Sequence, residues 1–276
     1  MSSRSLLLAM LLVTSSHTCS LLAAESIEEV LSATFRVTDK NTSGTCFLVQ
    51  VGGKAGSTPD RIMLVTAAHG FQQIPGDACW VILRAKQDDG SYARREHRLP
   101  LRDGDKPRWK KHPDEDIAVL PIDLPPEVEV TPFRLEQLAS ARDVAERRVR
   151  VAQEAWIPGY PAQLETNPAG WPVLRRGSLA SHPLAPVSAN KTMLVNVSSF
   201  GGDSGAPVVV FPSQNRETDQ APMPLVAGMI LGMHRQTDKT VTPFEERTQH
   251  TPLDLSIVIQ AQLIRETIQL LTSPAH

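Results

Sequence analysis

The sequence has few cysteines, few aromatic residues and little net charge. Three cysteines occur in 276 residues, and neither a C-x-x-C nor an H-E-x-x-H motif is present, so the common sequence signs of a zinc site are missing. The formal net charge of −2 gives no polybasic footprint for nucleic acid or anionic lipid. No apolar run reaches the roughly 20 residues that cross a bilayer as a helix. We therefore expect no metal, no cofactor and no nucleic-acid partner.

Proline and glycine are well represented, with 22 and 16 residues respectively. These residues interrupt helices and favour turns between short strands. Apolar runs of strand length recur without alternating long helices, which argues against a βαβ sheet and for an all-β fold. The predicted strands are residues 33–37, 45–51, 61–66, 80–85, 117–122, 149–152, 155–158, 174–180, 193–197, 207–211 and 225–233. One sustained helical pattern covers residues 251–271.

The N-terminus has the pattern of a secretory signal. Arg4 provides a basic start, residues 6–13 are uninterruptedly apolar, and small residues lead to Ala24. This pattern predicts a signal peptide over residues 1–24 and a secreted or periplasmic protein that has no membrane contact after cleavage. The remaining residues 25–276 form the predicted domain. Prolines between residues 124 and 132 divide it into lobes of residues 25–130 and 131–276.

Two cysteines, Cys46 and Cys79, remain after the predicted signal. Export makes a disulfide permissible, and we expect these two residues to form one. The alternative is that they are two small, buried, hydrophobic side chains with free thiols.

Three segments carry residues suited to nucleophilic catalysis. His69 follows an apolar strand, Asp116 precedes an apolar run, and Ser204 stands among glycines. A serine hydroxyl needs a base at hydrogen-bond distance, usually a histidine that a carboxylate orients. Glycines suit a tight turn in which the N–H groups of Gly202 and Ser204 form an oxyanion hole. The order His, Asp, Ser differs from that of subtilisin and of the α/β-hydrolases.

These segments resemble the chymotrypsin-like (trypsin-like) serine peptidases, and the bacterial secreted branch in particular. That branch includes the glutamyl endopeptidases and the high-temperature-requirement proteases. The motifs that carry the resemblance are Thr66-Ala67-Ala68-His69, Asp116-Ile117-Ala118-Val119-Leu120 and Gly202-Asp203-Ser204-Gly205-Ala206-Pro207. The resemblance implies two six-stranded antiparallel β-barrels, a cleft between them and a C-terminal helix, for which residues 251–271 are the candidate. It also implies hydrolysis of protein or peptide substrates through an acyl-enzyme, without a cofactor.

The resemblance also indicates where a substrate side chain would bind. The pocket wall would include Ser198, Ser199 and His234, and no acid stands at the base position, Ser198. This disfavours a preference for Lys or Arg. Ser199 and His234 could receive an acidic side chain through charge-assisted hydrogen bonds. The alternative is that His234 is an ordinary histidine of a strand or rim.

Activation is left open by the sequence. In the digestive members of the family a new N-terminal ammonium pairs with the acid beside the nucleophile, and Asp203 occupies that place here. No activation segment of the Arg-Ile-Val-Gly-Gly kind is present. Asp203 therefore requires a local hydrogen bond or another cation as its partner.

Two other functions compete with a peptidase. The first is a latent or non-catalytic peptide-binding protein on the same fold. The second is an α/β-hydrolase esterase in which His234 or His250 serves Ser204, although Ala206 breaks the G-x-S-x-G motif. His97, His112, His182 and His250 stand in polar or proline-rich contexts and are expected at the surface.

Overall fold

A computed structural model describes residues 27–39, 41–52, 61–146, 148–212, 223–242 and 244–272. The predicted signal peptide and its cleavage near Ala24 lie outside these residues. Within the described ranges, none of the helices combines the length and the apolar character needed to span a bilayer.

Ten strands lie among the described residues of the N-terminal half of the chain. They are β1 (Thr34–Thr38), β2 (Ser43–Val51), β3 (Arg61–Thr66), β4 (Ala78–Lys86), β5 (Tyr92–Pro100), β6 (Arg102–Asp103), β7 (Lys106–Pro107), β8 (Lys110–Lys111), β9 (Ala118–Pro121) and β10 (Phe133–Arg134). Eight of them form the first sheet in the order β5-β4-β1-β2-β3-β9-β8, with β10 paired to β2. Strands β6 and β7 form a separate two-stranded ladder.

Both faces of the central strands of this sheet are buried, because successive side chains point to opposite sides. On β2, Leu48 joins the core of the first lobe, whereas Phe47 and Val49 face a second core shared with the C-terminal half. Strand β3 divides in the same way, with Leu64 on the first side and Val65 on the other. The first sheet therefore forms part of the contact between the lobes.

Six strands form the second sheet, in the order β12-β11-β14-β15-β16-β13. They are β11 (Glu154–Gly159), β12 (Val173–Ser178), β13 (Thr192–Val195), β14 (Pro207–Val210), β15 (Leu225–Val241) and β16 (Glu246–Gln260). All pairs in this sheet are antiparallel. The outer parts of β15 and β16 extend beyond their other partners as an exposed two-stranded ribbon.

Four short or medium helices complete the described chain. They are α1 (residues 27–32), α2 (Ala68–Gln72), α3 (Ala141–Ala145) and α4 (Ala261–Thr272), with 3₁₀ turns at Leu135–Gln137 and Pro161–Gln163. The prediction of one helix over residues 251–271 is wrong in its first half, which belongs to β16. Leu255 and Ile259 are four residues apart, a spacing that fits a helical face and also one face of a strand. Pairing with β15 decides the conformation.

The expected fold class is confirmed as all-β with two antiparallel sheets and a C-terminal helix. The expected pair of closed six-stranded barrels differs in two details. The first sheet has eight strands, and the hydrogen-bonded strand order of each sheet ends in two unpaired edges among the described residues. An α/β-hydrolase sheet is excluded, because the strand pairs of the described residues are antiparallel apart from the short contact of β10 with β2 and one isolated bridge between Leu138 and Val226. That contact also places Phe133–Arg134 in the first sheet, beyond the predicted lobe boundary at residue 130.

Two predictions of local structure differ from the fold. Residues 149–152 form a turn rather than a strand. Strand β5 was not predicted, because Tyr92–Pro100 is largely charged and exposed and shows no apolar alternation. Its pairing along the whole of β4 supplies the hydrogen bonds that hold it.

The expected disulfide between Cys46 and Cys79 is absent, and both thiols are free and fully buried. Cys46 lies on β2 and Cys79 on β4, and β1 runs between these strands. Strands separated by one neighbour are about 10 Å apart, whereas the Cα atoms of a disulfide are at most about 7 Å apart. Burial raises the pKa of both thiols, to about 12 for Cys79. The two residues act as small apolar side chains.

We expect two thiols to react with a chromogenic disulfide reagent when a chain starting at Glu25 is unfolded in urea without reductant. Neither should react in the folded protein, since burial removes access and disfavours the thiolate. The Cys79→Ala variant should give half the signal. A signal of zero thiols in the unfolded, unreduced protein would contradict the structure.

Candidate active site

His69 and Asp116 meet because His69 follows β3, Asp116 precedes β9, and these two strands are neighbours. Strand β3 ends at Thr66, which pairs with Ala118 near the start of β9. The residues just outside this pair are therefore close. Asp116 accepts a hydrogen bond from the His69 backbone N–H at 2.7 Å, and its second carboxylate oxygen lies 2.5 Å from His69 Nδ1. The carboxylate thus fixes both the backbone and the ring of His69.

This contact shifts both groups toward their charged forms. The hydrogen bond and charge of Asp116 raise the pKa of His69 above its ordinary value, although burial opposes the shift. Burial pushes the pKa of Asp116 upward, but the hydrogen bonds and charge of His69 outweigh it and hold that pKa below its usual range. An ionised Asp116 beside a basic His69 is suited to general base chemistry.

His112 organises the turn that leads into Asp116, and its expected surface position is wrong. The side chain is 8% exposed. Its Nδ1 accepts hydrogen bonds from the backbone N–H groups of Asp114 and Glu115 at 3.2 and 3.1 Å. Its Nε2 lies 3.7 Å from Glu266 of α4. The polar sequence around His112 predicted exposure, and its burial could not be read from the sequence because its hydrogen-bond partners are main-chain groups.

The Ser204 loop lies between the two sheets, and two of its glycines are required there. Gly202 has φ 102° and Gly205 has φ 95°, both in the region that favours glycine. A Cβ atom on Gly202 would collide with the Tyr160 carbonyl, and one on Gly205 with the Thr45 carbonyl. The glycines around the serine therefore allow the loop to approach the rest of the chain closely.

The hydrogen bonds of this loop leave particular N–H groups unused. The N–H of Asp203 binds Phe200 O, that of Gly205 binds Ile230 O, and that of Ala206 binds Asp203 O. Across the part of the chain that the structure describes, no hydrogen bond uses the N–H of Gly202 or of Ser204. Unused backbone donors beside a serine are what an oxyanion hole requires.

Thr45 of β2 joins the Ser204 loop to the first sheet. Its N–H donates to Ser204 O at 2.9 Å, and its hydroxyl donates to Gly202 O at 2.7 Å. Its own carbonyl accepts a hydrogen bond at 2.7 Å from the hydroxyl of Thr66, which lies three residues before His69 in the chain. This buried residue therefore links the two segments that carry His69 and Ser204.

His69, Gly202 and Ser204 line one cavity of about 190 Å³ between the sheets. The Ser204 hydroxyl donates to Leu231 O at 3.1 Å, and the structure has no hydrogen bond between it and the His69 ring. The structure thus places His69 and Ser204 around a shared space, with the serine hydroxyl turned toward β15.

The three expected pocket residues are not hydrogen-bonded to one another. The Ser199 hydroxyl is buried and donates to Gly232 O at 3.1 Å. His234 is exposed on β15, and no hydrogen bond joins it to Ser199. The Ser198 hydroxyl donates to Asp254 Oδ1 at 2.5 Å. An acid therefore contacts Ser198, although the sequence shows none at that position.

Asp203 has an arginine as its partner. Arg175 of β12 donates from Nη1 to Asp203 Oδ2 at 2.9 Å and from Nη2 to Oδ1 at 2.5 Å. The Asp203 side chain is 1% exposed and that of Arg175 16%. Burial raises the pKa of Asp203, and the charge of Arg175 opposes that shift. The cation that the sequence left open is thus supplied from the second sheet.

Sequence reasoning missed Arg175, Thr45 and Asp254 for different reasons. Arg175 and Arg176 are consecutive on a strand, and successive side chains of a strand point to opposite faces. The sequence could therefore have predicted that one of the two arginines faces inward. Thr45 is one of several strand threonines. Asp254 lies in an irregular part of β16, at φ 54°, where a helix was predicted.

Within the described ranges there is no cluster of three or more side chains that could hold a metal ion. No protein-family model matches the chain, and no curated protein matches it. Two of the solved structures that are similar to it match almost its full length.

The first is an inactive form of a serine-to-alanine variant of Rv3671c from M. tuberculosis H37Rv. It is 15% identical, covers 93% of this chain and 96% of its own, and has a TM-score of 0.47. The second is an inactive form of the Rv3671c protease. It is 14% identical, covers 92% of this chain and 96% of its own, and has a TM-score of 0.48.

We expect Thr45→Val to lower the free energy of unfolding by about 1–3 kcal/mol, because Gly202 O and the Tyr160 N–H lose a buried partner. Urea unfolding followed by circular dichroism measures the change. Thr248→Val, on the exposed ribbon, is the control and should change stability by less than about 0.5 kcal/mol. Equal stability of the two variants would show that the Thr45 hydroxyl does not hold the lobes together.

Proposed function

We propose that this protein is an exported serine endopeptidase, secreted or periplasmic, in which His69, Asp116 and Ser204 form the catalytic triad. The observation that carries the proposal is the shared cavity. His69, Ser204 and Gly202 line it, Asp116 orients the His69 ring from outside the cavity, and the N–H groups of Gly202 and Ser204 are unused. Protein or peptide chains are the proposed substrates.

In the proposed reaction, the Ser204 hydroxyl leaves Leu231 O and donates to His69 Nε2. Ser204 Oγ then forms a bond to the scissile carbonyl carbon while His69 takes the hydroxyl proton. Asp116 accepts the Nδ1–H bond throughout, which keeps Nε2 free to act as the base. The N–H groups of Gly202 and Ser204 stabilise the oxyanion.

The tetrahedral intermediate collapses when the C–N bond breaks and His69 gives its proton to the leaving amine. A water molecule then attacks the acyl-enzyme, and His69 takes the water proton. The ester bond breaks, the proton returns to Ser204 Oγ, and the second product leaves as a carboxylic acid. In these reaction steps every proton that is released is taken up by His69, Ser204 or a product, and one water molecule is consumed.

One observation favours the alternative of a latent or non-catalytic peptide-binding protein. The Ser204 hydroxyl donates to Leu231 O and not to His69. In a peptidase this contact is exchanged when substrate binds, because catalytic hydrogen bonds often tighten only in the complex. In a latent protein it persists.

We expect a fluorophosphonate probe to label the folded chain starting at Glu25, and neither Ser204→Ala nor His69→Ala should be labelled above background. The first variant lacks the nucleophile and the second lacks its base. Ser91→Ala, in an exposed turn, is the control and should react like the wild type. Intact-mass spectrometry measures the adduct.

A folded wild type that is not labelled would favour the latent protein. Labelling that survives in Ser204→Ala would remove the proposed nucleophile altogether.

The rate of labelling should rise with pH through a midpoint above about 6.5, the ordinary pKa of histidine. The base must be neutral, and Asp116 raises the pKa of His69, so His69 stays protonated to a higher pH. Asp116→Asn should move the midpoint to lower pH and slow labelling by about 10³–10⁴-fold. Glu115→Gln, the neighbouring carboxylate that pairs with Lys191, should leave the midpoint in place.

A further inference from the structure

We propose that His112 is a positioning residue for the reaction, and that it holds Asp116 where the carboxylate can orient His69. The proposal rests on the proposed function. It concerns an imidazole that does not line the cavity of the candidate site, and whose hydrogen bonds join it to neither His69 nor Ser204.

The first step of the argument concerns the turn that leads into β9. Residues 112–117 connect β8 to β9, and the backbone N–H of His112 closes the turn by donating to Ile117 O at 3.0 Å. Nδ1 of the same residue accepts the N–H groups of Asp114 and Glu115 in the middle of the turn. Neither N–H has another acceptor among the described residues. One residue therefore makes three of the hydrogen bonds that fix the conformation of this turn.

The second step is that these contacts require one form of the ring. An imidazole nitrogen accepts a hydrogen bond only while it carries no proton, so the proton of a neutral His112 lies on Nε2. Nε2 lies 3.7 Å from Oε2 of Glu266 on α4, and this carboxylate favours a proton at that end of the ring. The residue is buried, so loss of its Nδ1 acceptor would leave two N–H groups without a partner, which is costly.

The third step is that the position of Asp116 follows from that of the turn. Asp116 comes directly after Glu115 in the chain, and its carboxylate oxygens contact the backbone N–H and Nδ1 of His69 at 2.7 and 2.5 Å. Contacts this short leave little freedom for the main chain that carries the carboxylate. A displaced turn would therefore lengthen the contact with His69 Nδ1, and a misplaced base reacts more slowly.

The fourth step is that the other side-chain contact of the turn is the weaker one. Lys191 Nζ lies 2.7 Å from Glu115 Oε1 and joins the turn to the start of β13. The Lys191 side chain is 43% exposed, and ion pairs with such exposure contribute little to stability. The buried imidazole of His112 is therefore the contact whose loss should displace the turn.

Three substitutions of His112 separate the ring nitrogen from the bulk of the side chain. His112→Phe keeps a ring of similar size without a nitrogen. His112→Asn places an amide oxygen close to the position of Nδ1, where it can accept both N–H groups. His112→Gln carries its amide one bond further, near the position of Nε2, and leaves the turn without an acceptor. His182→Phe changes an exposed histidine and is the control.

The experiment measures the second-order rate of fluorophosphonate labelling against pH, and the kcat and KM for a peptide pool. His112→Phe and His112→Gln should lower the labelling rate and kcat by about 10–100-fold, with KM within about threefold, because the base is misplaced while the substrate surface is unchanged. The pH midpoint of labelling should also fall, since His69 loses part of the contact with Asp116 that raises its pKa. His112→Asn and His182→Phe should keep the midpoint and a rate within about twofold of the wild type.

Circular dichroism shows whether each variant folds, and where His112→Phe does not, His112→Asn and His112→Gln carry the test. A lower rate with an unchanged pH midpoint would reduce His112 to a structural role and overturn the proposal. Equal rates in His112→Asn and His112→Gln would overturn it too, since the Nδ1 acceptor would then not matter. In both cases a labelled wild type leaves the proposed function intact. A folded wild type that is not labelled would instead remove the proposed function and this proposal together.

Discussion

The hydrogen bonds of Thr45 are the constraint on which the candidate site depends. His69 and Asp116 lie at the ends of neighbouring strands of the first sheet, and Ser204 lies just before β14 of the second, so neither lobe holds the site alone. Thr45 binds Gly202 and Ser204 on one side and accepts from Thr66 on the other. These groups are buried, where an unmade hydrogen bond is costly. The two lobes can therefore pack only in a position that also sets the histidine segment against the serine loop.

A second contact between the lobes lies around a buried guanidinium. Arg84 of β4 is 3% exposed and lies between the rings of Phe35 and Trp171, with its centre 4.1 and 4.2 Å from them. It donates to the carbonyl oxygens of Leu31, Ser32, Thr34 and Gly170. Arginine suits this place because its planar, weakly hydrated fork can stack and donate at once. The lobes are thus joined by polar groups as well as by apolar packing.

The sequence was sufficient for the fold class and for the local motifs, and insufficient for contacts between distant segments. Glycines around Ser204 indicated a tight turn, and φ 102° at Gly202 shows why they are needed. Residues 251–260 were assigned to a helix because the spacing of Leu255 and Ile259 fits both periods, and only the partner strand decides between them. The prediction of a disulfide was wrong for a related reason, since the sequence does not reveal that β1 lies between the strands of the two cysteines. Arg175 lies 28 residues from Asp203, which local patterns do not connect.

Two aspartates next to cavity-lining residues, Asp116 beside His69 and Asp203 beside Ser204, show how environment separates the roles of two carboxylates. Asp116 is 31% exposed and bound by His69, and its pKa lies below the usual range. Asp203 is 1% exposed, and burial raises its pKa despite Arg175. A partly solvated carboxylate keeps its charge easily and can respond to the proton on a neighbouring base. A carboxylate that depends on one arginine instead holds a fixed charge only while the loop is folded around it. The first is therefore suited to proton transfer and the second to keeping the loop in one conformation.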